Sequence, residues 1–456
     1  MIGLIKSGIK RALPPSVWES FRARSWRYVR PLTVDYCPIM LPWFAGARRD
    51  DGIGRLHRLA TSFHWRDTWS ATTAAAVSIA ALRWPFMLLW DSVSAFRRYG
   101  SGVRARHGVG RTRQALDIVR LGVGSNVPAL YYYRFRLFDP ANARRASAYL
   151  HAEEMNVLYP TLSVELPSDV PVRHKEAFYE AGRKAGLPVV PAIATFADGR
   201  ALEWYASARQ LPPVDLVLKP VDMACGRGFQ RWAYDNGGQT WQRGDQRLTA
   251  EELLAYCGRA SIEHRHILQA RLTNHRALAD LSGDGLSTIR VVTFRRPSGE
   301  SGTLLACLRM PTGALLVDNF EAGGIAAPID LATGTLGAAV AKDPRRGTFT
   351  RHPDSGAPIE GYRVPYFGEA LHAALTAHAA FPWLPFVGWD VVITDDGPLL
   401  LEGNPDWCVE LAQIVTNTPL GETLYPEIYL EHLAAQRQRK SRADAASEPG
   451  QARGVA

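Results

Sequence analysis

Apolar positions follow helical spacing through the first third of the chain and fall into short alternating runs after about residue 165. Ile2, Leu4, Ile5, Ile9 and Leu13, interspersed with Lys6, Lys10 and Arg11, have the spacing of a short basic amphipathic helix. Such a helix either packs on its own domain or lies on an anionic membrane surface. Leu4–Ile5 is too short an apolar run for a secretory signal, and no small-residue cleavage site follows it. Ala71–Trp90, the longest apolar stretch, reaches the length of a membrane span, but Thr72, Thr73 and Ser78 dilute it and Arg83 and Pro85 interrupt it. A buried or interfacial helix is expected there. Two more helical runs are expected between Arg111 and Leu158, one carrying Leu116, Val119 and Leu121 and one over Ala143–Val157. Tyr131-Tyr132-Tyr133 between them reads as a short strand or an extended connector. Gln436–Ala456 loses its apolar residues and is expected to be a disordered tail.

Between these ends lie strand-like runs at Val189–Ala194, Leu216–Lys219, Ile267–Ala270, Thr288–Phe294, Leu304–Met310, Val387–Thr394 and Leu399–Glu402. Turn signals such as Asp198-Gly199, Ser282-Gly283-Asp284-Gly285 and Asp396-Gly397 separate them. The pattern predicts an α/β or α+β body over roughly 165–435, preceded by a basic, Trp-rich helical region over 1–110 and a helical lead-in over 111–164, and followed by the tail over 436–456.

Charge sharpens that division. Residues 1–150 carry 24 basic and 8 acidic side chains, a balance of +16, whereas the rest of the chain carries 29 and 36. Seven of the 13 tryptophans fall within residues 1–90. Together these features suit a membrane interface or a packed basic helical domain. No nucleic-acid-binding motif accompanies the charge, so a nucleic-acid partner is not expected. Apolar residues at 46% and charged residues at 21% exclude wholesale disorder. The five cysteines are odd in number, scattered and form no C-x-x-C pair, which places the chain by default in a reducing cytoplasm.

Only seven of the 53 basic residues are lysines, which draws attention to Lys219 at the end of the strand Asp215–Lys219. Pro220 stops the ladder, and the loop Val221-Asp222-Met223-Ala224-Cys225-Gly226-Arg227-Gly228 follows. Glycines let backbone N–H groups approach phosphate oxygens, and a lysine neutralises their charge. Gly-x-Gly turns and strand-ending lysines are common, however, and no Walker loop is present. Lys175, opening a helix at Arg173-His174-Lys175, would by itself be an ordinary surface lysine.

The C-terminal pair of runs carries more. With Asp395-Asp396-Gly397 as a three-residue loop, Thr394 pairs with Pro398, Val392 with Leu400, Asp390 with Glu402 and Gly388 with Asn404. Asp390, Glu402 and Asn404 then share one sheet face, while Val387, Trp389, Val391, Ile393, Leu399 and Leu401 face the core. Two carboxylates about 5 Å apart repel unless something positive lies between them. The oxygen set suits Mg²⁺, against the plainer reading of a solvated sheet face.

The order and spacing of these segments resemble the ATP-grasp superfamily: a helix-opening lysine, a strand lysine 44 residues later, a glycine loop, the strand Ile267-Leu268-Gln269-Ala270-Arg271-Leu272 and then D-x₁₁-E-x-N. The likeness covers roughly Pro160–Glu431 and is nearest to the sugar-transfer-associated, alpha-L-glutamate ligase-related branch. It implies an α+β ATP-grasp fold with ATP between two subdomains, Lys175 and Lys219 near the nucleotide, and Gly226, Arg227 and Gly228 in a flap over its phosphates. It further implies Gln269, Ala270 and Leu272 as an adenine-contacting hinge, Asp390, Glu402 and Asn404 as ligands of Mg²⁺ or Mn²⁺, and Arg290 and Asn319, with the Gly323-Gly324 loop, on the acceptor side. One departure stands out. D-alanine ligase-like relatives carry an arginine two residues before the metal aspartate, where this chain has Gly388; either Arg290 replaces that charge from another strand or the phosphoryl chemistry differs.

The implied activity is ATP-dependent ligation of a small or sugar-linked carboxylate to an amine through an acyl phosphate, in surface polysaccharide or glycoconjugate synthesis. Its implied place is the cytoplasm, with peripheral contact at the inner face of the membrane through residues 1–110 as a further expectation. The alternatives are phosphoryl transfer to a hydroxyl and a non-catalytic nucleotide-binding scaffold.

Overall fold

The computed structural model describes residues 36–66, 70–163, 171–206, 209–221 and 228–447. The expected N-terminal amphipathic helix, Cys225, Gly226, Arg227 and the end of the tail lie outside the described residues. The chain divides into two compact units.

Of the described residues, the first unit gathers 36–66 and 70–163 with Asp343–Gly347 and Val409–Ala434. It contains α1 (Gly52–Arg66), α2 (Ala71–His107), α3 (Arg111–Ser125), α4 (Ala129–Arg134) and α5 (Ala152–Ser163). Ser70 caps α2 by accepting from the Thr73 amide, and Gly108 ends it at φ +69° behind Arg104 and Arg106 in the last turn. Pro85 does not break this helix; it sits exposed inside a continuous 37-residue run. Tyr131-Tyr132-Tyr133 forms neither strand nor connector but lies in α4, fully buried. Tertiary packing overrides strand propensity here, because helical spacing stacks Tyr131 on Phe135 at 5.0 Å. The run expected over Ala143–Val157 is broken: Tyr149–His151 leave the helix, and Gln413 holds Leu150 by both backbone groups, at 3.0 and 2.8 Å. In the interior His57 Nδ1 lies 2.6 Å from Glu154, which also meets His151 at 3.2 Å. Burial opposes charge on this group, but the pairing prevails: the His57 pKa is raised and that of Glu154 lies far below the carboxylate range. The expected disordered tail is helical as far as Ser447, as part of Tyr425–Ser447, because Ala, Gln, Arg and Lys are strong helix formers even without an apolar face.

The second unit is built on two antiparallel sheets. Strands β1 (Ala192–Ala197), β2 (Arg200–Trp204), β3 (Leu216–Pro220), β4 (Gln230–Asp235), β5 (Thr240–Arg243), β6 (Gln246–Leu248) and β7 (His266–Ala270) take the order β2-β1-β7-β3-β4-β5-β6. Asp198 and Gly199, both at positive φ, close the β1–β2 hairpin at the expected turn. The second sheet takes β8 (Thr288–Arg295), β9 (Ser301–Met310), β10 (Ile325–Ile329), β11 (Ala339–Ala341), β12 (Thr348–Phe349), β13 (Phe386–Thr394) and β14 (Gly397–Asn404) in the order β12-β11-β10-β9-β8-β13-β14. Helix α6 (Lys175–Lys184) and the helix Phe367–Ala380 supply side chains to the core of the second sheet, where Trp389 lies 6.0 Å from Phe178 and 6.2 Å from Phe381.

Two local differences from the expected strands have clear causes. β1 starts at Ala192 rather than Val189, because Pro188 and Val190 spend their backbone groups on Leu400 of β14. In the β13–β14 hairpin Thr394 pairs with Gly397, not Pro398, and a bulge after Asp390 absorbs the extra residue. The two offsets cancel, so Asp390 faces Glu402 and Gly388 faces Asn404 as expected, but Leu400 rather than Leu399 or Leu401 enters the core beside Val391.

Candidate active site: a lysine cleft beside a buried arginine–carboxylate array

Helix α6 and β3 bring two of the seven lysines together. Lys175, Lys219, Gln269, Phe178, Val189 and Leu401 are among the residues lining one small cleft. Gly182 lets α6 approach the cleft wall, since a Cβ there would lie 2.4 Å from Val189 Cγ1. Lys175 Nζ is 3.4 Å from the Val221 carbonyl, and Gln269 donates to the Val190 carbonyl at 3.1 Å. Burial pushes the Lys219 ammonium down to about 8; Glu402 opposes that shift and Lys175 adds to it.

The sheet register builds the other half. Cys307, Arg290, Asp390 and Glu402 form one row across β9, β8, β13 and β14, and side chains directly opposite in register share a face. Thr288, two residues from Arg290, pairs with Arg309 on the same face. Arg290 Nε donates to Asp390 Oδ1 at 2.5 Å, and Arg309 Nη2 reaches Asp390 Oδ2 at 2.8 Å. Arg309 also meets Asp318 at 3.2 Å and Thr288 Oγ1 at 2.5 Å, while the Thr288 hydroxyl donates to Asp318. Burial works against ionised Asp390, yet the two guanidinium groups hold its pKa below the ordinary value. Burial and the nearby Asp390 charge lift Asp318 to about 6 despite Arg309. Alternating charges thus neutralise one another in a buried chain of groups.

Of the residues expected to hold metal, Asp390 lies against the arginines and Glu402 and Asn404 lie together. Both oxygens of Asp390 are engaged by arginines. Glu402 and Asn404 are joined by one bond of 3.2 Å, from Asn404 Nδ2 to Glu402 Oε1, which leaves the second carboxylate oxygen and the amide oxygen outside that bond. That donor pair fits Mg²⁺, which takes one or two carboxylates and completes its shell with phosphates and water.

Gly388 is explained by the same array. A Cβ on it would lie 2.7 Å from Trp407 Cβ and 3.1 Å from Arg290 Cδ, so the arginine of β8 fills the space that a side chain at 388 would need. Of the other expected residues, Gly228 is at φ +74° at the edge of the loop. Ala270 and Leu272 are half-buried at the end of β7 and just beyond it, and neither is a cleft-lining residue. Asn319 is engaged in the fold: its side chain accepts from the Glu321 amide at 2.9 Å and caps the turn Phe320–Ala322. Sequence reasoning missed Arg309 and Asp318. The available signal was an arginine among apolar residues in Leu304–Met310, at the same alternation phase as Cys307.

A model of the sugar-transfer associated ATP-grasp family matches residues 167–425, more than half of the chain. The chain belongs to that family. This ATP-grasp protein has no match among curated proteins. Solved structures similar to it include D-alanine–D-alanine ligase from Bacillus anthracis complexed with ATP, at 13% identity and TM-score 0.35, covering 62% of this chain and 76% of that one. Another is an ADP complex of N5-carboxyaminoimidazole ribonucleotide synthetase, at 14% identity and TM-score 0.31, covering 56% of this chain. This ATP-grasp chain spans 54% of that synthetase. Biotin carboxylase from Campylobacter jejuni, complexed with β,γ-ATP, is similar at 12% identity and TM-score 0.35, covering 57% of this chain and 46% of its own.

Proposed function

We propose that this protein is an ATP-dependent ligase joining a small or sugar-linked carboxylate to an amine, with surface polysaccharide or glycoconjugate as its setting. The observation that carries the reading is the convergence of Lys175 and Lys219 on one cleft, within a chain of the ATP-grasp family. In the proposed sequence the substrate carboxylate attacks the γ-phosphorus of ATP, the bond to ADP breaks and an acyl phosphate forms. The amine then attacks the acyl carbon, loses a proton, and phosphate departs. Lys175 and Lys219 neutralise the nucleotide phosphates, and Arg290, held in place by Asp390, adds fixed positive charge on the neighbouring sheet face. Glu402 and Asn404 would hold Mg²⁺, which supplies charge screening for the phosphates. Asn319 stays on the acceptor side in this reading, as a residue that shapes the turn.

Two measurements test it. A non-hydrolysable ATP analogue at 100 times its Kd should add about 2.7 kcal/mol of stability, less so in Glu402→Gln with Mg²⁺ present. Absence of any stabilisation in the folded wild type would remove the ligase and the nucleotide-binding scaffold alike, whereas stabilisation without turnover would favour the scaffold. Hydroxylamine added during turnover should trap the acyl phosphate as a hydroxamate. ADP release on a carbohydrate acceptor without hydroxamate would instead identify phosphoryl transfer to a hydroxyl.

A further inference from the structure

The helical unit carries an apolar surface that the proposed chemistry does not use. On α2, Ile79, Leu82, Phe86, Leu89, Trp90 and Val93 are all exposed, with Leu82 and Phe86 at 75% and Trp90 at 70%. Their spacing places them on one helical face. The opposite face, including Ala76, Val77, Ala80, Leu88 and Ala95, is buried in the unit. Its neighbour α3 runs alongside, with Gly122 close against Leu88 and Gln114 bonded to the Gly100 carbonyl, and exposes Leu116, Val119 and Val123.

The charge around this face identifies its occupant. Between residues 71 and 125 the chain has eight arginines and two aspartates. Seven of those arginines are exposed and neither aspartate is. Arg97 continues the apolar face one turn beyond Val93, and Arg104 lies two turns further in the same phase. The apolar part, from Ile79 to Val93, is about 21 Å long at 1.5 Å per residue, with half-buried Arg83 at its flank and Trp90 near its basic end. Apolar residues, then an interfacial tryptophan, then arginines is the order of a surface that enters a bilayer as far as the headgroups and meets anionic phosphates there. α2 as a whole passes the length and composition test for a membrane span, but one side of it is packed on protein. A lipid-surrounded span needs an apolar circumference, which this helix does not have free.

We infer that the exposed face of α2, flanked by α3, docks this protein on an anionic lipid surface, with Phe86, Leu89 and Trp90 inserted and Arg97 and Arg104 at the phosphates. This stands apart from the ligase reading, and its test reads no turnover. The full-length protein is sedimented with phosphatidylcholine vesicles, with and without about one-third phosphatidylglycerol. The anionic vesicles should bind it at least about tenfold more tightly. Phe86→Glu/Leu89→Glu should weaken that binding about tenfold or more at unchanged thermal stability, and Arg97→Ala/Arg104→Ala should abolish the preference for anionic lipid. Brominated lipid should quench wild-type emission more than that of Trp90→Phe, a readout that needs no charge inserted in the helix. The inference fails if the folded wild type stays unbound with anionic vesicles, or if Phe86→Glu/Leu89→Glu binds as wild type does. It also fails if light scattering shows a wild-type dimer that this variant converts to monomer without vesicle binding, since the face would then be covered by a second copy.

Discussion

Arg309→Met is the sharpest probe of the arginine–carboxylate array. The substitution keeps an unbranched apolar side chain in the strand but removes the guanidinium 2.8 Å from Asp390, 3.2 Å from Asp318 and 2.5 Å from the Thr288 hydroxyl. Asp390 retains Arg290, whereas Asp318 retains only the Thr288 hydroxyl among the partners named above. Removing one partner from a buried pair costs about 3–5 kcal/mol, mostly through the carboxylate left uncompensated. In a unit of this size that lowers Tm by about 6–20 °C. The assay is scanning calorimetry, with the transition of this unit identified as the one an ATP analogue shifts. The penalty must depend on pH in a definite direction. Asp318 already has a folded pKa raised to about 6, above the ordinary aspartate value, so its ionisation opposes folding above that pH and the cost is relieved as pH falls. Losing Arg309 raises the pKa further, so between pH 7 and pH 5 the variant recovers more than wild type and the gap narrows by about 1 kcal/mol. Adding Asp318→Asn should restore at least about half of the loss by removing the orphaned charge. A loss under about 1 kcal/mol, or a double variant no better than Arg309→Met, would refute the view that this array is a charge-neutralised buried network.

Three other outcomes follow from the geometry. Lys219→Met should lower affinity for the ATP analogue about 10- to 100-fold by isothermal titration while leaving the unliganded protein no less stable, because burial already disfavours that ammonium; unchanged affinity would place the nucleotide elsewhere. Gly388→Ala should cost about 1–3 kcal/mol against Trp407 and Arg290, and Gly388→Arg should not improve activity, because Arg290 already occupies the space. In the helical unit, the His57 contribution to stability is present below its ordinary pKa and lost as pH rises through its raised folded value, while that of Glu154 is lost only as pH falls through its depressed one. Glu154→Gln should therefore lower the His57 pKa, read by NMR, and flatten the stability lost as pH rises above the ordinary histidine range.

Elements whose cause is local were legible along the chain. Alternation marked most strands of the second sheet, the spacing of Lys175 and Lys219 and the D-x₁₁-E-x-N run marked the family, and Asp198-Gly199 specified a turn because both positions take positive φ. Even the Asp390–Glu402 pairing was legible, although through two offsets that cancel: a loop one residue shorter than counted and a bulge that restores the register. Tertiary structure decided everything that depends on which strand lies beside which. Placing β8 between β9 and β13 sets Arg290 and Arg309 on Asp390 and fills the space over Gly388. Packing likewise drew three β-prone tyrosines into a buried helix and left one side of α2 exposed, because burial and charge pairing are properties of neighbours in space and local propensity is too weak to oppose them.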